Sequence, residues 1–453
     1  MFLNNLKKFK IVSETGFEYS SKNIVDIKNQ FKSIFKEKKL ILFICDNDEF
    51  SLLFYVVNLV LKHCLIPISS NITKISLKRI INNFQPDIIF SKKFLTINEY
   101  KVFEKFGTYF LLERKKSSIL IHKDLSLLLS TSGTTGDSKF VKLTYENLYS
   151  NALAIKKYLN LNSLDSTLTT LPIHYSYGIS VINSHLVADA KIHLNTLSFF
   201  DKEFWDKIKK KKITNLSGVP FHYEIIHRMG IQKIKLRSLK FCTQAGGKLN
   251  TNLVNFFSNE FIKLNKKFYI MYGQTEASPR ISYIEEINLI KYPDSVGRAI
   301  PGGKIFIKKN KNREGEILYQ GKNIFCGYAT KRIDLQKIRK IKTLNTGDLG
   351  YIKNGLLFIT GRIKRIAKIY GIRVNLDTLE DYLGNLGIDC KCVYKNKKIH
   401  LFILNDKINK KRIKIFINKD FEININTIEF IKIQNFPLLS NKKINYKLLY
   451  EYI

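Results

Sequence analysis

One segment limits what this chain can fold into more than any other. Leu127-Leu128-Leu129 runs directly into Ser130-Thr131-Ser132-Gly133-Thr134-Thr135-Gly136-Asp137-Ser138-Lys139. A short apolar run bounded by turn residues suits a buried strand of a parallel sheet, covered on both faces. The loop after it is built for an anion. Its glycines let backbone N–H groups turn inward, its hydroxyls add donors, and its lysine supplies a full positive charge. Those groups suit a polyphosphate, although the G-x-x-x-x-G-K-[ST] spacing of a Walker A loop is absent. An ordinary turn has no reason to gather so many donors ahead of a lysine. Thr131, Ser132, Gly133, Thr134, Thr135, Gly136 and Lys139 are therefore candidate nucleotide-binding residues.

A strand feeding such a loop belongs in an α/β architecture, and the flanking sequence agrees. Leu40–Cys45 and Ile88–Phe90 read as buried parallel strands. Asp46-Asn47-Asp48-Glu49 ahead of an apolar run predicts a capped helix start. Strand-like and helical stretches alternate to about residue 290. Short β-rich pieces follow at Lys304–Lys308, Gly315–Tyr319 and Leu356–Ile359. A last segment carries a helix at Leu376–Leu386 and strands at Cys392–Tyr394 and His400–Leu404. At 453 residues the chain exceeds what one hydrophobic core usually organises. The expected fold is α/β: a large N-terminal body of wound α/β subdomains (1–361) and a small α+β C-terminal domain (362–453). A hinge near Gly361-Arg362 would join them.

Composition narrows the function classes. With 76 basic against 38 acidic residues the formal net charge is +38, which raises nucleic acid as a partner. The basic residues are spread along the whole chain beside abundant Ile, Asn, Phe and Tyr, and clusters such as Lys209–Lys212 suit solvated faces. Compositional drift explains this pattern better than a dedicated nucleic-acid surface. The six cysteines include no C-x-x-C pair, so they read as reduced thiols of a cytoplasmic protein, not as a zinc site or disulfide framework. The first residues, Met1–Lys10, lack the apolar segment of a signal peptide. The longest apolar stretch, Ser51–Leu61, is too short to span a bilayer, so no integral membrane segment is expected.

Further motifs follow in order along the chain: Gln244-Ala245-Gly246-Gly247, Met271-Tyr272-Gly273-Gln274-Thr275-Glu276, Asn345-Thr346-Gly347-Asp348, Gly361-Arg362-Ile363-Lys364, Gly371-Ile372-Arg373-Val374 and Pro437–Asn445. With the Gly/Thr loop, this series resembles the adenylate-forming superfamily: acyl-CoA synthetases, adenylation domains of nonribosomal peptide synthetases, and luciferases. The family's loop reads T-S-G-[ST]-T-G-x-P-K, and this chain departs from it at Ser138, where proline is usual.

The resemblance implies roles. Tyr272 would lie at the adenine, Gly273 and Gln274 would bind the nucleotide, and Thr275 would meet the α-phosphate. Glu276 would help hold Mg²⁺, for which a carboxylate oxygen is a fitting ligand. Gly246 and Gly247 would flank the adenine and the acyl pocket, where only glycine permits close approach. Asp348 would accept from the ribose hydroxyls and Arg362 would reach the nucleotide. Lys364 would be the hinge residue and Gly371 would line the thiol tunnel. Lys443 aligns with the family's lysine between carboxylate and α-phosphate, where a cation offsets charge building on phosphorus. The glycine usual before that lysine is replaced by Lys442.

Leu171-Pro172-Ile173-His174-Tyr175-Ser176-Tyr177-Gly178 resembles the segment bordering the acyl site, which makes His174 a candidate substrate-binding residue. No acidic residue lies between Leu171 and Leu186 to pair with an α-ammonium, which disfavours amino acids as substrates. Arg280 reads as a surface arginine, with contact to a second anionic group on the substrate as the other option.

The implied function is ATP-dependent activation of a small-molecule carboxylic acid to an acyl-adenylate with release of pyrophosphate. Transfer then follows to a thiol, either coenzyme A or the phosphopantetheine of an acyl or peptidyl carrier protein. The alternative is a weakened homologue that binds nucleotide or acyl group without turnover, suggested by Ser138 and Lys442.

Overall fold

The computed structural model describes residues 9–35, 37–115, 119–130, 139–234, 237–309, 314–369, 372–404, 408–439 and 443–453. Thr131, Ser132, Gly133, Thr134, Thr135 and Gly136 lie outside the described residues, as do Ser138, Gly371 and Lys442.

Apolar runs become parallel strands buried on both faces. Leu40–Cys45 pairs in parallel with Cys64–Ser69 on one side and Ile88–Ser91 on the other, and Cys64–Ser69 pairs with Leu125–Ser130. The helix Glu49–Leu61 starts where the acidic cap demands it: Asp48 accepts the Ser51 N–H at 2.9 Å. Every residue from Ser51 to Leu59 is buried, so this helix is held by packing all round and not by an amphipathic stripe. At fully buried positions such as Phe54 and Leu52, each side chain contributes about 1.5–3 kcal/mol relative to exposure. An antiparallel hairpin, Tyr100–Phe106 and Tyr109–Arg114, closes one edge of this sheet.

A second sheet sets up the site. Its parallel part runs Lys10–Val12, Lys191–His193, Ser166–Leu168, Asn215–Gly218, Phe241–Gln244 and Lys267–Gly273. Arg280–Glu285 then turns back antiparallel on Lys267–Gly273. The strands Ser295–Ala299, Leu356–Arg362, Leu344–Lys353, Gly315–Gln320 and Lys304–Lys309 continue the same sheet antiparallel. In open α/β sheets ligands gather beyond the carboxyl ends of parallel strands, and the Gly246, Thr275 and His174 loops all leave such ends.

Past residue 362 a smaller α+β unit follows, in keeping with the expected two-part fold. The hairpin of Ile366–Ile369 with Ile372–Asn375 leads into the helix Leu376–Asn385. Cys390–Lys395 and Lys398–Ile403 pair antiparallel, and Ile428–Lys432 adds in parallel. Its core, including Leu379, Leu383, Cys392, Leu401 and Ile417, is separate from those of the body. All six cysteines are buried and free. Among the described residues no helix is long and apolar enough to cross a membrane.

Candidate active site

Two glycines are required by geometry. Gly273 lies opposite Arg280 across the sheet reversal, and a Cβ there would sit 1.8 Å from the Pro279 carbonyl oxygen. Gly246 adopts φ +88°, and its Cβ would lie 2.8 Å from Tyr175 Oη and 3.9 Å from Lys443 Cε. The Gln244 side chain curls under this turn and donates to the Gly247 carbonyl at 2.8 Å. The Gly246-Gly247 loop is thus pressed between the segment after His174 and the end of the chain.

Strand pairing supplies a charged pair. Asp348 and Arg362 are register partners on adjacent antiparallel strands, and Arg362 Nε lies 3.2 Å from Asp348 Oδ1. Tyr272 Oη donates to the other carboxylate oxygen at 2.5 Å. Burial pushes the Asp348 carboxyl up, while Arg362 and the Tyr272 hydroxyl pull it back. Burial and the adjacent Asp348 charge push the Tyr272 phenol well up, so it stays a donor.

A second cluster links the start of the site to its middle. Tyr328 Oη donates to Glu276 Oε1 at 2.9 Å, and Lys139 Nζ lies 3.3 Å from the centre of the Tyr328 ring. Lys139, which ends the Gly/Thr loop, therefore reaches Glu276 through one aromatic ring. Thr275 Oγ1 lies 3.4 Å from Ser176 Oγ, the first residue of the helix Ser176–Val187. Among the described residues no three His, Cys, Asp or Glu side chains form a metal cage. A single carboxylate such as Glu276 fits a Mg²⁺ that arrives on phosphates and keeps most of its waters.

Lys443 enters this site from the C-terminal end of the chain. Its ammonium lies 5.6 Å from the Tyr175 ring centre. The loop carrying it is closed by the Leu439 N–H donating to the Lys443 carbonyl at 2.7 Å, with a bridge between Leu438 and Ile444. Burial, then the Arg362 charge, hold the ammonium down at about 8 against the opposing pull of Asp348 and Glu276. Residues far apart in sequence thus share one electrostatic neighbourhood.

His174 is partly buried at the edge of the site. Its loop is pinned by Asn47, which accepts the Ile173 N–H at 2.9 Å and donates to the Leu171 carbonyl at 3.1 Å. Among the described residues the His174 Nε2 has no partner, and burial holds the imidazole neutral, down at about 4. Lys364 is exposed on a short turn, Ile363–Arg365, that directly follows Arg362. Sequence reasoning missed Tyr175, Tyr328 and Asn47. Tyr175 stood inside a quoted motif, whereas Tyr328 gave no signal, since its link to Glu276 exists only across the fold.

Arg280 corrects the sequence reading. It is not a surface arginine but 2% exposed, with Nη2 donating to Ser180 Oγ at 3.2 Å and its guanidinium 4.7 Å from the Tyr177 ring centre. The strand Arg280–Glu285 is buried from Arg280 through Ile284, and the arginine is carried inward with it.

Comparisons with known proteins identify the family. The AMP-binding enzyme family matches residues 58–329. The 2-succinylbenzoate–CoA ligase of Staphylococcus aureus (strain JH9) is 25% identical over 341 residues, covering 72% of this chain and 67% of that protein. Bacitracin synthase 3 of Bacillus licheniformis is 27% identical over 354 residues, 72% of this chain but 5% of that much longer protein. The o-succinylbenzoate CoA synthetase from Bacillus subtilis, solved with an acyl-adenylate intermediate, shares the fold. Its TM-score is 0.76 at 16% identity over 99% of this chain and 96% of that one. The chain belongs to the AMP-binding enzyme family and is an AMP-forming acid:thiol ligase, activating a carboxylic acid as its acyl-adenylate before thioester formation.

Proposed function

We propose that Lys443 is the catalytic cation of the adenylation step, with coenzyme A as the acyl acceptor and carrier-bound phosphopantetheine as the other thiol of the same chemistry. The observation that supports this is the lysine's surroundings: it is held at about 8 in the same neighbourhood as Glu276, Asp348 and Arg362, beside Gly246. A cation kept partly desolvated beside another cation gains most when new negative charge arrives. The substrate carboxylate and the α-phosphate bring that charge, and the gain is largest as the phosphorus becomes pentacoordinate.

The other residues position the reactants. Tyr272 and Asp348 hold the adenosine end, Asp348 accepting from ribose hydroxyls once Tyr272 yields to the ligand, and Arg362 steers the phosphates. Thr275, with Gly273 and Gln274 around it, contacts the α-phosphate, and Lys139 with the Thr131–Gly136 loop holds the outer phosphates. Glu276 contributes the carboxylate ligand for Mg²⁺, which supplies charge neutralisation on the phosphates when bound. His174 and Gly247 border the acid. Division of the chain at residue 361, with Lys364 as the hinge and Gly371 at the thiol tunnel, lets a 362–453 domain withdraw Lys443 after adenylation so that a thiol can approach.

The test separates the two half-reactions. Lys443→Ala is expected to lower acyl-adenylate formation, followed by mass spectrometry or pyrophosphate release, by about 10²–10³-fold. Conversion of a supplied acyl-adenylate to thioester should change by less than about threefold, a difference of about 0.6 kcal/mol. Wild-type rates of adenylate formation in the Lys443 variant would overturn the assignment.

A further inference from the structure

Beneath the motif loops lies a small cavity whose lining includes Tyr177, Ser180, Ser217, Thr243, Met271 and Arg280. Five of these six residues lie on elements that lead into or out of the site loops. Tyr177 and Ser180 lie on the helix Ser176–Val187 that follows His174, and Thr243 is the last but one residue of the strand leading to Gly246. Met271 precedes Tyr272, and Arg280 opens the strand after Glu276. The cavity therefore adjoins the elements that carry the site, and under the acid-activating reading it is the inner end of the acyl region.

Its chemistry is unusual for an acyl pocket. Tyr177 Oη and Thr243 Oγ1 are 2.9 Å apart, and Ser217 Oγ lies 2.9 Å from the same threonine hydroxyl. A guanidinium stays charged at any pH a protein survives. Burying one without a counter-ion costs several kcal/mol unless an anion arrives. Arg280 lines this cavity with the Ser180 and Tyr158 hydroxyls and the Tyr177 ring face as partners, and among the described residues its buried Nε has none. Among the described residues no carboxylate forms an ion pair with it, in contrast to the pairs made by Arg332 and Arg365. A fork of this kind with an open Nε is shaped for bidentate contact to a planar oxyanion. The cavity is small, so a long alkyl tail or a broad ring would displace more core side chains than a carboxylate would.

We infer that Arg280 binds a second anionic group of the substrate, so that the acid activated here is a short dicarboxylic acid or a similar dianion. The inference rests on the acid-activating reading given above. The remote carboxylate takes over the Arg280 fork from Ser180, and the arginine acts in specificity, not in the chemical step.

The experiment compares straight-chain dicarboxylic acids of two to six carbons with monocarboxylic acids of matching length and with a long-chain fatty acid, by pyrophosphate release. Wild type should favour one short dianion over its monoacid match by at least about 10²-fold in kcat/KM, because a site built for a polar group rejects the analogue lacking it. Arg280→Met, apolar and of similar length, should lose at least about 10²-fold on the dianion and gain on the monoacid. Arg280→Lys should fall between them. A wild-type preference for monoacids, unchanged in Arg280→Met, would overturn the inference while leaving acid activation standing. A second readout needs no turnover: the same diacids without ATP should raise the melting temperature of wild type and not of Arg280→Met. Equal shifts, or none with any diacid, would sink the inference. Absence of any adenylate from wild type, despite a selective shift, would count against the proposed reaction instead.

Discussion

Arg332 and Arg280 are both buried in the body of the protein, 5% and 2% exposed, yet their surroundings differ in kind. Arg332 has its donors placed: Nε to the Ile119 carbonyl at 2.8 Å, Nη1 to the Gln85 carbonyl at 2.6 Å, and Nη2 to both Asp87 oxygens at 2.9 and 3.0 Å. Asp87 in turn accepts the Leu40 N–H at 2.7 Å, so the network ties the turn Arg332–Leu335 to the start of a central strand. Among the described residues Arg280 has the Ser180 and Tyr158 hydroxyls, one ring face and an open nitrogen beside a cavity. The lesson is that burial alone does not say what a cation is for. A saturated guanidinium holds the fold, and an unsaturated one facing a cavity waits for an anion.

The largest test of that contrast is removal of the saturated arginine. Arg332→Ala should cost about 3–5 kcal/mol in urea unfolding, because Asp87 is left as an uncompensated buried charge. A loss below about 1 kcal/mol would erase the distinction between the two sites.

A smaller effect probes the same region through pH. His63 accepts the Lys39 N–H at 3.0 Å, next to the strand that Asp87 anchors, and burial holds its imidazole down at about 3. The folded state therefore binds this proton less readily than the unfolded chain, whose imidazole titrates near 6.5. As pH falls through 6.5 the unfolded state takes up the proton first, and stability declines until about pH 3. Between pH 7 and 5 the share due to His63 should be about 1–2 kcal/mol. Melting curves across that range should be correspondingly flatter for His63→Gln, and an identical slope would remove His63 as the cause.

The smallest effect belongs to the open arginine. Arg280→Met should leave stability within about 1 kcal/mol of wild type or raise it, since a buried cation with no anionic partner among the described residues is replaced by apolar packing. A loss above about 2 kcal/mol in the same urea titration would put Arg280 in the structural class with Arg332.

Local features were the legible ones. The acid-capped helix Glu49–Leu61 and the strand Leu40–Cys45 stood out because cap residues and apolar runs act within a few positions. The helix expected at Leu376–Leu386 appears as Leu376–Asn385, one residue short at the end where helices fray. The motif residues were legible because phosphates, ribose and metal each call for particular side chains in short runs. Their partners were not. The Tyr272–Asp348 hydrogen bond spans a separation of 76 residues, and the Tyr328–Glu276 bond spans 52. No periodicity reports contacts of that range.

The sequence by itself determined the class of chemistry, because a hydroxyl- and glycine-rich loop, a carboxylate beside a threonine and a late lysine are needed wherever the chain puts them. Only the tertiary structure decided that Lys443 sits with Arg362, Asp348 and Glu276, and that Arg280 lies inside the protein. The reason is physical. Desolvation and charge pairing depend on what surrounds a group in three dimensions, and a guanidinium reads the same in sequence whether its neighbour is water, a carboxylate or a cavity.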